Sequence, residues 1–419
     1  MDAGYKMPQM ITRDSTGSGL TVLLVGNYGY DRQESMQRFA AVLALELPKR
    51  GIQTEIIRPE AWFGRLKPSP SGFGKWLGYL DKFVIFPFAI QKKIRALRQP
   101  LSDSGIRTPN LVVHICDHSS APVVFHIAEV PHLVTCHDLL AIRAARGDFP
   151  KTQISRTGRA YQRMILKGLK RARNVACVSN ATRCDFEKVV GRPPGVFRTI
   201  NDPLNYPYEP MSGEDAAGLL GRLGVAEAPR FILHVGADVW YKNREGVLDI
   251  FSRLTDRTLH LWMVGPPIDR ELIQKYGLEG RVRTFQKLGN ETLQALYSKA
   301  ECLLFPSLEE GFGWPIVEGQ ACGCPVITTN KPPMTEVGGT AAIYIDPVRA
   351  DAAAASVDAV LARSPEERDA WCQMGLKNAA RFSTERIIGQ FIDAYDIVLS
   401  RKADASAPCD RISIHEPTR

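Results

Sequence analysis

Between Cys302 and Pro347 the chain reads CLLFPSLEEGFGWPIVEGQACGCPVITTNKPPMTEVGGTAAIYIDP, and no other stretch constrains the fold as much. Cys302–Phe305 is an apolar run of the length expected for a buried strand. The loop that follows, Pro306 to Trp314, carries carboxylates and the bracketed Gly311-Phe312-Gly313. Pro315 stands where a proline opens a helix, since its missing N–H would be an orphan there anyway. Strand, glycine loop and helix N-terminus in that order aim free backbone N–H groups at one point, a ready anion site. Glu310 falls in the loop and Glu318 is placed in the first turn of the helix. Carboxylates beside an anion site suit a ligand with a diphosphate at one end and hydroxyls at the other, as in a sugar nucleotide. Taken singly, both would read as solvated side chains.

The alternation of strand and helix extends through the chain. Strand-like runs occur at Thr21–Val25, Thr54–Arg58, Leu111–Ile115, Leu133–Cys136 and Asn174–Val178. They resume at Phe231–Val235, Leu259–Val264, Val282–Phe285, Cys302–Phe305 and Pro325–Thr328. Between the two series, Asn201–Pro210 is rich in proline and asparagine and has no periodicity, which marks a linker. Alternation twice over predicts two doubly wound parallel sheets, and 419 residues suit two or three domains. Gly26, with Asn27 and Tyr28, closes the first strand in a turn that lacks the full dinucleotide fingerprint. It reads equally as a plain tight turn. His137 follows the strand Leu133–Cys136 directly and so lies at a carboxyl edge, where α/β sheets hold ligands.

Glu310-x(7)-Glu318 inside Glu-Gly-Phe-Gly, followed by Gln-Ala-Cys-Gly-Cys-Pro-Val and Glu-Val-Gly-Gly, resembles the signature of the retaining glycosyltransferases of family 4. The resemblance covers nearly the whole chain. It implies an α/β GT-B fold, two Rossmann-like domains facing a cleft. An acceptor-side domain would span 1–205 and a nucleotide-sugar domain 206–382. A closing helix, 383–400, would return to the first domain, with a disordered tail at 401–419. Glu318 would bond the nucleotide ribose, and Glu310 would meet the transferred sugar or its acceptor. Gly311, Phe312, Gly313 and Gly236 would line the donor site. His137 would contact the donor sugar, while Gly26, Tyr28 and His118 would hold the acceptor. The family usually carries an Arg-Lys pair after the first strand of its second domain. Here Tyr241 stands in the arginine's place, Lys242 fits, and Arg244 is the candidate replacement for the guanidinium.

The implied activity is transfer of a hexose, mannose among the candidates, from a nucleoside-diphosphate sugar to a saccharide or lipid-linked saccharide in surface polysaccharide synthesis. No Asp-x-Asp occurs, so neither a metal nor any other cofactor is expected. A sugar-nucleotide epimerase on the same fold is the competing enzyme. A non-catalytic module binding membrane or nucleic acid is the competing class, although no nucleic-acid signature supports the latter.

Charge is unevenly placed. Residues 1–205 hold 30 Lys+Arg and 16 Asp+Glu, a net of +14, and the remainder holds 23 and 29, a net of −6. Such an asymmetry points to an anionic partner for the first half. Within it, Trp62 to Arg98 interleaves aromatics with Lys67, Lys75, Lys82, Lys92, Lys93, Arg95 and Arg98. This pattern suits a membrane interface, or equally a helix pair that packs its rings and snorkels its lysines. Nine scattered cysteines read as buried small residues of a reducing compartment. The N-terminus shows no apolar signal region and no run is long enough to span a bilayer. A cytoplasmic protein, free or at the inner membrane face, is the expectation.

Overall fold

A computed structural model describes residues 19–29, 34–66, 77–98, 110–150, 152–225 and 229–406, the side chains as far as residue 400 and excepting Leu66. Lys67, Lys75 and Trp76 of the aromatic–basic segment, and 407–419 of the tail, lie outside them.

Two parallel six-stranded sheets form, one from each half of the chain. In the first the order is β2-β1-β3-β4-β5-β6, from β1 (Leu20–Val25), β2 (Gln53–Ile57), β3 (Asn110–Ile115), β4 (His132–Cys136), β5 (Val175–Cys177) and β6 (Phe197–Thr199). The second runs β12-β11-β10-β7-β8-β9. Its members are β7 (Phe231–Val235), β8 (His260–Val264), β9 (Val282–Phe285), β10 (Cys302–Phe305), β11 (Val326–Thr329) and β12 (Ala342–Ile345). Central strands such as β1 and β10 are buried along their whole length. This is why they read as continuous apolar runs and not as alternating ones: helices cover both faces of a parallel sheet. The expected GT-B architecture, two Rossmann-like units, is what the chain adopts.

Strand order decides where each unit can bind. Ligands enter outside the carboxyl ends of the strands, where the order reverses. In the first sheet that point lies between β1 and β3, and in the second between β7 and β10.

The linker packs as part of the structure. Trp314 Nε1 donates to Pro203 O at 2.9 Å, and Leu204 N to Phe382 O at 3.0 Å. A last helix, Thr384–Ser406, then crosses onto the first sheet. There Tyr395 Oη lies 2.7 Å from His114 Nδ1, whose Nε2 is 2.8 Å from Thr135 Oγ1. Burial, with His137 nearby, pushes the His114 pKa down to about 3, so the ring is neutral. The helix continues through 401–406, which the sequence reading had given to a disordered tail. Among the described residues no helix is long and apolar enough to cross a membrane.

Candidate active site

In the second half three loops meet at the switch point. The loop after β7 contains Gly236 and Lys242, that after β10 contains Glu310 to Gly313, and that after β8 contains Pro266. Lys242 Nζ sits 2.6 Å from Glu310 Oε1, with 15% and 8% of the two side chains exposed, and lies 4.9 Å from the centroid of the Phe305 ring. Two residues proposed on separate grounds are therefore one ion pair. At such burial, removing either member strands the other's charge. Arg244 opens the helix Arg244–Ser252, with its side chain 6% exposed. It donates a short hydrogen bond to Pro266 O and lies 3.8 Å from Asp238. The guanidinium is thus tied to the loop after β8, which leaves it less freedom than a surface arginine to replace one lost at Tyr241. Beneath Gly236 lies His234, whose Nδ1 is bonded to Leu304 O at 3.0 Å. A Cβ on Gly236 would come within 2.9 Å of His234 Nε2.

Gly313 is the N-cap of the helix Trp314–Ala321, with φ of 102°, a conformation that favours glycine. Glu318 does not lie in its first turn, as the sequence reading had it, but in the second. Its carboxylate is 3% exposed and already accepts Asn205 Nδ2 and Tyr297 Oη, both at 2.9 Å. Burial raises its pKa against these two bonds and the Arg38 and Lys242 charges. A ribose would have to share it with both protein donors. The Phe312 side chain is also turned inward, 4% exposed and edge-on to Phe382 at 5.4 Å. The loop after β10 meets the first half through the backbone of Gly311 and through Glu309, whose Oε2 lies 3.5 Å from Arg143 Nη1.

In the first half Asp117 is the hub. Asn27 Nδ2 donates to it at 2.5 Å, Ser119 N at 3.2 Å, and His118 Nδ1 lies 3.1 Å away. Burial would raise the Asp117 pKa, but the His118 charge and these bonds hold it well below the carboxylate range. Burial likewise works against protonated His118, and Asp117 outweighs it, so that pKa is raised. Gly26 packs against Arg58, whose Nε would lie 2.9 Å from a Cβ there. Tyr28 Oη donates to Asp81 at 2.9 Å.

His137 is 4% exposed. Its Nε2 lies 2.9 Å from Cys116 O, its Nδ1 lies 3.4 Å from Asp202 Oδ1, and Phe39 packs edge-on at 4.8 Å. Burial opposes its charge, but Asp202, Asp117 and the Cys116 carbonyl favour it, and the pKa rises to about 9. The ring is therefore engaged with its own half, and it is the His137 carbonyl that meets the loop after β10. A Cβ on Gly311 would lie 1.7 Å from that oxygen, so only glycine lets the halves come this close.

Several contacts across the halves escaped the sequence reading. Ser179 Oγ and Thr182 Oγ1 donate to Gly311 O at 2.7 and 3.1 Å. Glu336 Oε2 and Oε1 accept Asn180 N and Ala181 N at 2.8 Å each, which places an anion on the N-terminus of the helix Asn180–Val189. Ser179 was legible only as that helix's cap, and Glu336 only as the first letter of Glu-Val-Gly-Gly. Asp202 and Asn205 lay hidden in what read as linker.

The family profile for Glycosyl transferases group 1 matches residues 220–377, and that for Glycosyltransferase Family 4 matches 36–205. The chain belongs to the family 4 glycosyltransferases. It is a nucleotide-sugar-dependent hexosyltransferase of that family. It is 27% identical over 278 residues to O-antigen chain mannosyltransferase B of Escherichia coli, which covers 64% of this chain and 70% of the relative. It is 31% identical over 188 residues to MMP alpha-(1->4)-mannosyltransferase of Mycolicibacterium hassiacum, 42% of this chain and 44% of that one. Among solved structures, Anabaena Alr3699/HepE in complex with UDP and glucose matches with a TM-score of 0.63 at 18% identity, over 90% of this chain and 99% of that chain. At that identity the likeness speaks to the fold.

Proposed function

We propose that this glycosyltransferase moves a hexose, with retention, from a nucleoside-diphosphate sugar to a saccharide or lipid-linked saccharide of a surface polysaccharide. The observation that carries the reading is the Lys242–Glu310 pair at the switch point of the second sheet, opposite the His137–Gly311 contact. As the sugar leaves, charge builds on the β-phosphate, and fixed positive groups stabilise it without reorganisation. Lys242 is that group, held in place by Glu310, with the N–H groups behind Gly313 beside it. Arg244 has the supporting part of fixing the loop after β8. Close apposition of Gly311 and His137 keeps water from the reacting centre, where it would hydrolyse the donor. Glu318 bonds the ribose while bracing Asn205 and Tyr297.

The mannosyltransferases among the relatives favour mannose, while the UDP-bound fold neighbour keeps a UDP-hexose in play. Transfer is favoured over epimerisation because the first sheet has a lined recess at its own switch point, which an epimerase does not need. A thermal-shift screen with GDP, UDP, ADP and TDP tests the reading. The true nucleotide at about 100 times its Kd stabilises by about 2.7 kcal/mol. No shift with any of the four sinks it.

A further inference from the structure

Lys242 and Glu310 form one ion pair although they stand on two separate loops, after β7 and after β10. Whatever sets the spacing of those loops is therefore part of the chemistry of the site. Within the second half they share a backbone bond, Leu308 N to Tyr241 O at 2.7 Å. A further hold on both comes from the first half, through the short helix Leu140–Arg146 and the turn after it.

That helix starts where the halves come closest. Leu140 N donates to Asp138 Oδ1 at 2.9 Å, and Asp138 adjoins the His137 whose carbonyl meets Gly311. The helix ends at Gly147, whose φ of 95° favours glycine, and Asp148 N turns back to donate to Arg143 O at 3.1 Å. This reversal lays the Phe149 ring over Arg143, 4.7 Å from the guanidinium carbon to the ring centroid. Each of the two stacked side chains then reaches one loop of the other half. Arg143 Nη1, bonded to Asp185 at 2.8 Å, lies 3.5 Å from Glu309, the neighbour of Glu310. Arg143 and Glu309 are only 20% and 16% exposed, so water and salt screen their contact weakly. Phe149 packs its ring 4.8 Å from that of Trp240, two residues before Lys242. One stacked pair thus grips both arms that carry Lys242 and Glu310. A lysine would not serve in place of Arg143, because only a planar guanidinium stacks on a ring while its edge bonds carboxylates.

We propose that Arg143 and Phe149 are positioning residues for the transfer: they hold Glu309 and Trp240, and through these neighbours set Lys242 and Glu310 for the donor diphosphate. The setting is complete only while the halves are together, so a donor held by the second half alone is not activated towards water. The proposal rests on the glycosyl-transfer reading above and adds the residues that couple the donor crevice to the first half.

Calorimetry on the full chain tests it, with GDP, UDP, ADP and TDP and their monophosphates as probes. Lys242 answers to the β-phosphate, so the ratio of diphosphate to monophosphate affinity reports its placement, while base and ribose contacts cancel. Wild type prefers one diphosphate over its monophosphate. Phe149→Ala lowers that preference roughly two- to tenfold, the worth of an aromatic pair, and leaves the monophosphate affinity as it was. Arg143→Ala lowers it at least as far, and Phe149→Tyr, which keeps the ring, retains it. Trp240→Ala, made in the other half, gives the same loss as Phe149→Ala, and combining the two adds nothing. An unchanged preference in Phe149→Ala and Arg143→Ala overturns the proposal. So does an equal loss of diphosphate and monophosphate affinity, the mark of a structural role, or fully additive losses in the double variant. Should a first-half variant misfold, Trp240→Ala carries the test, since that ring is 42% exposed. Wild type that binds none of the nucleotides, or none with a preference for its diphosphate, strikes the glycosyl-transfer reading. A wild-type preference that the variants keep strikes this proposal alone.

Discussion

The two switch-point crevices are built on opposite plans. In the second half, an ion pair of short-looped residues, Lys242 and Glu310, is the centre, and the surrounding loops are pinned by backbone bonds such as Leu308 N to Tyr241 O at 2.7 Å. In the first half the centre is a buried carboxylate, Asp117, saturated by its neighbours, and the surface is supplied by a long aromatic–basic insertion. The strand orders differ as well: the second sheet reverses after three strands on one side, the first after two. One half is organised around an ion pair on short loops, the other around a buried carboxylate and the surface of a long insertion.

Lys242→Ala is the hardest test of that contrast. It should cost about 2–5 kcal/mol in transition-state stabilisation, read from kcat/KM, because it leaves Glu310 buried and unpaired. Arg244→Ala should cost less, since its guanidinium is anchored on Pro266 O and not on the Lys242–Glu310 pair. If Arg244→Ala proves the more damaging, the centre of the donor crevice has been misplaced.

The next effect in size is a pH dependence confined to the first half. His137 faces Asp202, Asp117 and neutral His114, and its folded pKa, about 9, lies above the ordinary value of 6.5. A raised pKa contributes stability that is fully present below about pH 6.5 and is lost as pH rises through 9, by at most about 3 kcal/mol. Thermal melting from pH 6 to pH 10 should show that loss in wild type, and a smaller one in Asp202→Asn, where Asp117 and the Cys116 carbonyl still favour the charged ring. The same slope persisting in Asp202→Asn would remove the ion pair from the account.

Glu318→Ala should cost about 1–3 kcal/mol in folding stability, because Asn205 and Tyr297 lose a buried acceptor. Glu318→Gln, which keeps one carbonyl, should recover part of this while still weakening nucleotide binding in calorimetry. Equal nucleotide affinity in wild type and the glutamine variant would leave Glu318 a purely structural brace. The smallest effect is expected for Glu336→Ala, about 1 kcal/mol from uncovering two N–H groups at a helix N-terminus. It should appear as a larger radius of gyration in solution scattering, with both halves still folded. An unchanged radius would mean that Gly311, Ser179 and Thr182 hold the halves without it.

The contrast also explains what was legible beforehand. Strands such as β1 and β10 announced themselves because both faces of a parallel sheet are covered, which leaves no polar alternation to blur them. Lys242, Glu310 and the Gly311–Gly313 loop were legible because a helix N-terminus after a strand has a local signature. The roles of Asp202, Asn205 and Glu336 were not, since each acts on a partner far along the chain and nothing in its neighbours specifies that partner. The inward turn of Phe312 was missed for a related reason: its pocket is built by Phe382, seventy residues on. Burial of Glu318 depends likewise on Tyr297 and Asn205 from other elements.

The crossing of the last helix onto the first sheet sets how the protein can be taken apart. Polypeptide passes between the halves twice, near Pro203 and near Ser383, and the two passages are bonded side by side through Leu204 and Phe382. A plate hung on two adjacent pins swings about one line and resists twisting. The paired passages therefore favour opening and shutting about that line over twisting. They are also unequal as fragments. A chain ended at Ser383 keeps the second sheet whole but strips Tyr395 and Phe391 from His114 and Phe39 in the first. The first half is completed by residues that follow the second sheet in the chain, so it reaches its final packing only after the second half has been made.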